Sequence, residues 1–316
     1  MSHAAKTLPP AFVERIRLLY PGRDAELVLA SFEKERPTAF RPNLLKTDAR
    51  SLRRVMEEQG FKLETLPYPP GCFLLRNKRQ RDLEDTKSYL SGDLYVQNPS
   101  SMIPPHLLAP QPGERILDLA AAPGGKTTQM AGMMAGSGEL VAVEENPIRA
   151  EKLKANLIRQ GASWVRVEVG DGALFGRRNP GAFDRVLLDA PCSAEGRFQS
   201  SEPSSFKYWK ESTPQQCAKL QRRLFKGAVE ALKPGGLLLY STCAISPEEN
   251  EGVVDWALKD FAGALETQSL SLPLLNVRSG LKRWGSMDFD STVGRTLRVL
   301  PTSNFEGFFA ALFRKF

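Results

Sequence analysis

Leu117-Asp118-Leu119-Ala120-Ala121-Ala122-Pro123-Gly124-Gly125-Lys126-Thr127 decides the fold. A short apolar run breaks into a glycine turn, and helical spacing begins at Lys126. That is the strand–turn–helix unit that opens a doubly wound α/β sheet. Downstream the pattern repeats. Strand-like runs at 115–119, 139–143, 164–169, 185–189 and 236–241 alternate with helical stretches at 126–134, 147–160, 214–232 and 247–261. Such alternation predicts a mostly parallel sheet covered on both faces, a Rossmann-like α/β domain. Two late runs, 296–300 and 307–313, read as an antiparallel pair closing the sheet edge.

Upstream the texture differs. Apolar positions at Phe12, Ile16 and Leu19, then Leu27, Val28 and Phe32, predict two helices split by Pro21-Gly22. Residues 40–46 read as extended, and Asp48 is placed to cap a helix over 49–59 that Gly60 closes. Short strands fit 61–66 and 72–75. This predicts a smaller N-terminal α+β domain over 1–95, with the Rossmann-like domain over 96–316. The densest basic run, Arg76-Asn77-Lys78-Arg79-Gln80-Arg81, lies in the smaller domain. A solvated loop and contact with an RNA backbone both account for it; the second is preferred.

Ligands of doubly wound sheets sit beyond the carboxyl ends of the strands, where a glycine turn lets the backbone approach. The turn fails as a P-loop, because the first glycine of GxxxxGK[ST] falls at Ala120, and it fails as the nicotinamide pattern GxGxxG. S-adenosyl-L-methionine fits better. Ala120, Ala121, Ala122, Pro123, Gly124, Gly125 and Lys126 form the loop. Glu144 ends the second strand, where an acid can accept ribose hydroxyls, with Glu145 as its rival. Asp171 follows the third strand, and Asp189 ends the fourth. Capping of turns and helices is the plainer role for such acids.

Two thiols stand in matching settings. Val186-Leu187-Leu188-Asp189-Ala190-Pro191-Cys192 and Leu237-Leu238-Leu239-Tyr240-Ser241-Thr242-Cys243 each end an apolar run in a turn. Carbon 5 of cytosine is a poor nucleophile until a thiolate adds to carbon 6 and makes carbon 5 enamine-like. An acid at ring nitrogen 3 and the amino group stabilises the adduct. A base must then take the carbon 5 proton before the enzyme thiol can leave. Cys243 has the better setting for the nucleophile. Ser246-Pro247-Glu248-Glu249 reads as a capping box, putting a helix N-terminus close by. Cys72 and Cys217 lack this context and read as structural.

Composition narrows the classes. The chain has 316 residues, 41% hydrophobic and 25% charged, the mix of a water-soluble globular protein. Its opening, MSHAAKTLPP, lacks the apolar core of a secretory leader, and no apolar run is long enough to span a membrane. A cytoplasmic monomer with no membrane association is expected. Four cysteines without CxxC spacing read as reduced thiols. With His3 and His106 the only histidines, histidine-based triads and a Cys/His zinc site are not expected, and no metal is expected. The net charge of +7 divides as +4 over residues 1–110, −1 over 111–276 and +4 over 277–316. That suits a balanced core flanked by surfaces for a polyanion.

These residues resemble the Nop/Sun family of RNA 5-methylcytosine methyltransferases over nearly the whole chain. Arg41-Pro42-Asn43-Leu44-Leu45-Lys46 is similar to its RxNxLK segment, and Tyr95-Val96-Gln97-Asn98-Pro99-Ser100-Ser101 to its YxQ…SS segment. Then follow LDLAAAPGGKTTQ at 117–129, LLDAPCS at 187–193, YSTC at 240–243, PEENE at 247–251, and Arg298-Val299-Leu300-Pro301 with Gly307-Phe308-Phe309. The resemblance implies a class I S-adenosylmethionine-dependent fold. It implies Cys243 as nucleophile, Cys192 assisting product release, Asp189 and Lys126 near the base and methyl donor, and residues 120–126, Glu144 and Asp171 around the cofactor. PCSAEG and YSTC…PEENE are most similar to the bacterial RsmF type, which makes ribosomal RNA the first expected partner and transfer RNA the second. The longer RsmF-type enzymes carry a further RNA-binding domain beyond the point where this sequence stops. No role carries over to Thr302, where the family often has histidine. The base must leave its stack to reach a thiol; Arg197, Lys207 and Lys210 are candidates for phosphates, Tyr208 for stacking, and Trp209 for the core. A DNA cytosine enzyme using Cys192 as nucleophile, a P-loop ATPase and a non-catalytic RNA-binding assembly factor are the rival readings.

Overall fold

The computed structural model describes residues 7–316; His3 and the first six residues of MSHAAKTLPP lie outside them. Two helices lead, α1 (Pro10–Leu19) and α2 (Arg23–Ser31). Their apolar stripes pack with Phe198, Ile245 and Leu300, residues far away in the sequence. Next come β1 (Ala39–Pro42), α3 (Ala49–Glu58), β2 (Leu63–Thr65), β3 (Phe73–Leu75), short helices α4 (Gln80–Glu84) and α5 (Lys87–Leu90), and β4 (Leu94–Val96). The four strands form an antiparallel sheet ordered β2-β3-β1-β4. Asp48 caps α3 by accepting from the Arg50 and Ser51 amides, as its position predicts. Only Ala39–Pro42 of the extended stretch is strand; a turn follows at Asn43.

Helix α6 (Pro99–Leu108) leads into the main sheet and runs against the local sequence pattern, because Pro104 and Pro105 sit inside it. Asn98 caps it and Pro99 takes the first turn, where a missing N–H costs nothing. The remaining elements are β5 (Arg115–Asp118), α7 (Gly125–Met133), β6 (Glu139–Glu144), α8 (Pro147–Arg159), β7 (Arg166–Val169), α9 (Gly172–Arg178), β8 (Phe183–Asp189), α10 (Thr213–Ala231), β9 (Leu232–Thr242), α11 (Glu251–Asp260), β10 (Leu265–Gln268), β11 (Val277–Ser279), a small hairpin of β12 (Arg283–Trp284) and β13 (Met287–Asp288), β14 (Leu297–Val299) and β15 (Phe308–Lys315).

The main sheet runs β11-β14-β15-β9-β8-β5-β6-β7, with β10 also pairing β15. Strands β5 to β9 are parallel, and β15 returns antiparallel to β9. This is the α/β architecture expected. The late pair is not the edge, however: β14 and β15 are antiparallel as predicted, but β11 pairs beyond β14. Both faces of the sheet are apolar, as a doubly covered parallel sheet requires. Leu117, Val186, Leu188, Leu238 and Tyr240 face one core with α10 and α11, while Ile116, Leu187 and Leu239 face the other with α7 and α8. Strand order reverses between β5 and β8, and that switch point places the site.

Candidate active site

Beyond the carboxyl ends of β5, β6, β8 and β9 lies a cavity of about 500 Å³. Its lining includes Ala120, Ala121, Ala122, Pro123, Gly125 and Lys126 on one side, and Asp189, Cys192 and Cys243 on the other. Gly124 carries φ +102°, and a Cβ there would stand 2.8 Å from Leu153 Cδ1, so the turn closes only with glycine. The turn and the first turn of α7 thus form one wall of the cavity. Asp118, at the end of β5, accepts from Thr127 Oγ1 at 2.7 Å; burial pushes its carboxyl up to about 7.

Pairing register brings the two thiols together. Asp189 of β8 lies opposite Ser241 of β9, and the two turns that follow carry Cys192 and Cys243. Their sulfur atoms are 3.3 Å apart. The Cys192 thiol is raised well above its ordinary value, first by the hydrogen bond with Cys243, then by burial and by Glu249. Lys126 donates to Asp189 Oδ2 at 2.6 Å and to Ser101 Oγ at 2.8 Å, while Ser241 Oγ donates to Asp189 Oδ1 at 2.7 Å. The carboxylate is therefore fixed from both sides at the cavity wall. Cys72 lies elsewhere and Cys217 lies outside the cavity lining, next to Glu249; burial pushes both thiols up to about 12.

The strand-end acids differ. Glu144 is buried beside the glycine turn and accepts from the Ala122 and Asn146 amides; Glu145 is exposed. Asp171 caps α9 through the Ala173 and Leu174 amides and pairs with Arg223; it does not line the cavity. His106 packs near the Tyr68 ring outside the cavity. Arg197 lines the cavity and faces Glu306 at 3.6 Å; Lys207 and Lys210 are exposed. Tyr208 is exposed, and Trp209 packs on Phe12 and Phe198.

The expected capping box at Ser246 does not form. Helix α11 starts at Glu251, with Asn250 before it. Ser246 is buried and gives its hydroxyl to Glu195 Oε1 at 2.7 Å, so its oxygen is not spent on a helix amide. Residues 247–250 form turns, and Cys243 does not sit at a helix N-terminus. Sequence reasoning also missed Glu195. Fully buried, it accepts from the Ile245 and Ser246 amides, Ser246 Oγ and Trp209 Nε1. Its only trace was an acid inside CSAEG. Beside it, Gly196 touches Gly307, where a Cβ would meet Gly307 O at 2.1 Å, and this close approach brings β15 against the Cys192 turn.

The RxNxLK segment turns out to be an internal tie. Arg41, buried, donates to Gln97 Oε1 at 2.9 Å, to Gly125 O at 2.7 Å and to Thr128 Oγ1 at 2.9 Å, joining β1 to the start of α7. Asn43 donates to Gly92 O and Gln160 O, and Lys46 to Arg159 O. The basic run 76–81 faces outward, with Arg76 paired to Glu64 and Lys78 over the Phe61 ring. Among the described residues, no helix is long and apolar enough to cross a membrane.

Comparison with known proteins places this geometry. Residues 105–314 match the family model of the 16S rRNA methyltransferase RsmB/F, and residues 8–99 that of the N-terminal domain of 16S rRNA methyltransferase RsmF. The tRNA (cytosine(49)-C(5))-methyltransferase of Pyrococcus abyssi is 38% identical over 296 residues, 92% of each chain. The ribosomal RNA small subunit methyltransferase F of Vibrio campbellii is 36% identical over 99% of this chain; the match spans 64% of that protein's length. A methyltransferase homolog from Pyrococcus horikoshii superimposes with a TM-score of 0.86 at 32% identity, covering both chains fully. NSun6 from the same organism, solved with SFG, shares the fold with a TM-score of 0.78 at 21% identity, over 98% of this chain and 99% of its own.

Proposed function

The chain belongs to the RsmB/F methyltransferase family, and on that premise we propose that it moves a methyl group from S-adenosylmethionine to carbon 5 of cytosine in RNA, ribosomal RNA first, through a bond between Cys243 Sγ and carbon 6. The observation that carries the covalent reading is the pair of sulfur atoms 3.3 Å apart beside a fixed Lys126–Asp189 pair. S-adenosylmethionine supplies the methyl group when bound. The turn 120–126 would hold it, with Glu144 for the ribose hydroxyls and Asp171, which pairs with Arg223 outside the cavity lining, for the adenine amino group. Cys243 thiolate adds to carbon 6, and Asp189, in its protonated form, donates to nitrogen 3 and accepts from the amino group as charge builds on the ring. Cys192 takes the carbon 5 proton, the ring double bond re-forms, and Cys243 leaves as thiolate. Residues 1–95 act as the RNA-holding module and 96–316 as the catalytic domain.

Transfer RNA is the second reading, favoured by the Pyrococcus abyssi relative matched over 92% of each chain, whereas the match spans only 64% of the small-subunit relative. The test is methyl transfer from labelled S-adenosylmethionine to total unmodified RNA by wild type, Cys243→Ala and Cys192→Ala. Label at cytosine carbon 5, a dead Cys243→Ala and a trapped protein–RNA adduct with Cys192→Ala support the proposal, and the labelled RNA names the substrate. An active Cys243→Ala refutes the nucleophile. RNA and cofactor binding without transfer points to an assembly factor instead.

A further inference from the structure

Behind the Cys192 turn lies a polar cluster that this reaction scheme leaves unused. Glu249 Oε2 accepts from the Ser193 amide at 2.9 Å and from Gln221 Nε2 at 2.9 Å; the same Gln221 nitrogen reaches Pro191 O at 3.0 Å. One carboxylate thus braces the turn on both sides of Cys192. Three buried polar atoms in this cluster have no partner: Glu249 Oε1, Gln221 Oε1 and Ser193 Oγ. An orphaned carboxylate oxygen in a protein interior is costly, and a proton on it removes the cost. The contrast is Glu195, equally buried, whose oxygens collect four donors.

We infer that Glu249 is the proton acceptor for Cys192 and, acting through the Ser193 hydroxyl, sets when the methylated base is released. The inference rests on the two-thiol reading above. Cys192 must be a thiolate to take the carbon 5 proton, and its own proton needs a destination. That proton passes to Glu249 Oε1 when the Ser193 hydroxyl turns from its unpartnered position to bridge the two groups, converting carboxylate to acid. Cys192 Sγ then takes the carbon 5 proton, and the C–H electron pair re-forms the ring double bond. The C6–S bond breaks with its pair leaving on Cys243. Glu249 returns its proton to solvent after release.

The surroundings suit a group that titrates near working pH. Burial and then Glu195 raise the Glu249 carboxyl to about 8, against the hydrogen bonds from Ser193 and Gln221. Cys217 and Arg222 of α10, Tyr240 of β9 and Cys192 are the other titratable or charged neighbours of the cluster. Glu249 does not touch the reacting atoms and is a positioning residue.

The test is adduct decay after one turnover, read on denaturing gels from pH 6.5 to 9.5, with an unmodified small-subunit ribosomal RNA transcript or, if wild type labels it instead, a transfer RNA transcript. In wild type, release accelerates as pH rises through about 8. Glu249→Gln forms adduct but releases it roughly 10- to 100-fold more slowly, without that rise; Glu249→Asp restores part of both. Ser193→Ala, which removes a hydroxyl with no partner, slows release and keeps the pH midpoint. It carries the test should Glu249→Gln fail to fold. Slowing by Glu249→Gln with the pH profile unchanged marks a merely structural brace and overturns the inference, as does wild-type release in Ser193→Ala. Absence of any adduct with wild type or Cys192→Ala refutes the two-thiol reading itself, and the inference falls with it.

Discussion

The turns after β8 and β9 look alike in sequence and differ in what stands behind them. Each follows an apolar strand, and each carries one thiol at the cavity wall. The Cys243 turn rests on Glu195, where four donors converge on two oxygens. The Cys192 turn rests on Glu249, where one oxygen has no partner and the carboxyl sits near 8. A saturated carboxylate fixes geometry; an unsaturated one can exchange a proton. Equal burial of an acid therefore does not imply an equal role.

The largest expected effect separates the two thiols. Cys243→Ala is expected to lower methyl transfer by about 10⁴-fold or more, while Cys192→Ala builds up covalent protein–RNA complex on a denaturing gel. If the outcomes are exchanged, the nucleophile lies in the other turn and the comparison breaks.

Next comes stability. Glu195→Ala strands buried donors and is expected to cost about 3 kcal/mol or more, whereas Glu249→Gln is expected to stay within about 1 kcal/mol at neutral pH. Urea unfolding of both variants measures this, and equal losses would erase the distinction between the two glutamates.

A smaller effect sharpens it. The folded chain holds the Glu249 proton up to about 8, while the ordinary value is 4.5. Between those pH values the native state binds more protons than the unfolded chain, so this group's contribution is full below 4.5 and is lost as pH rises through 8. Asp118 acts with the same sign between 3.8 and about 7. Glu249→Gln is thus expected to gain on wild type from pH 5 to about 8 and then to level off in the same unfolding assay. A constant difference would mean that Glu249 does not titrate in this window.

The smallest effect lies outside both turns. Charge reversal at Arg79 and Arg81 is expected to weaken RNA binding several-fold and to lower the salt slope by roughly 0.7 to 0.9 for each phosphate that is no longer neutralised. Adduct chemistry at saturating RNA is expected to be unchanged. Filter binding across salt concentrations decides it; an unaltered slope makes the run 76–81 a solvated loop.

Local pattern made much of this legible. The five parallel strands lie where apolar runs meet glycine turns, the Asp48 cap forms, and both site thiols stand out by their setting. What local pattern does not show has one cause. Pro104 and Pro105 argue against a helix on local grounds, yet buried packing of Met102, Ile103 and Leu108 holds α6. Ser246 has a capping sequence, but Glu195, 51 residues away in the chain, claims its hydroxyl. Arg41 stands out as the head of the RxNxLK-like segment but carries no role in the sequence, whereas the fold buries it and uses it to tie β1 to α7.

The sequence by itself determined the strand–turn–helix order, the glycine turn and which residue types stand at the strand ends, because those follow from periodicity and backbone freedom within a few residues. Tertiary structure alone decided that the two sulfur atoms meet, that Lys126 and Ser241 hold Asp189 between them, and that one buried glutamate is saturated while its neighbour is not. Strand register and desolvation set those outcomes, and both depend on groups far apart in the chain that only packing brings together.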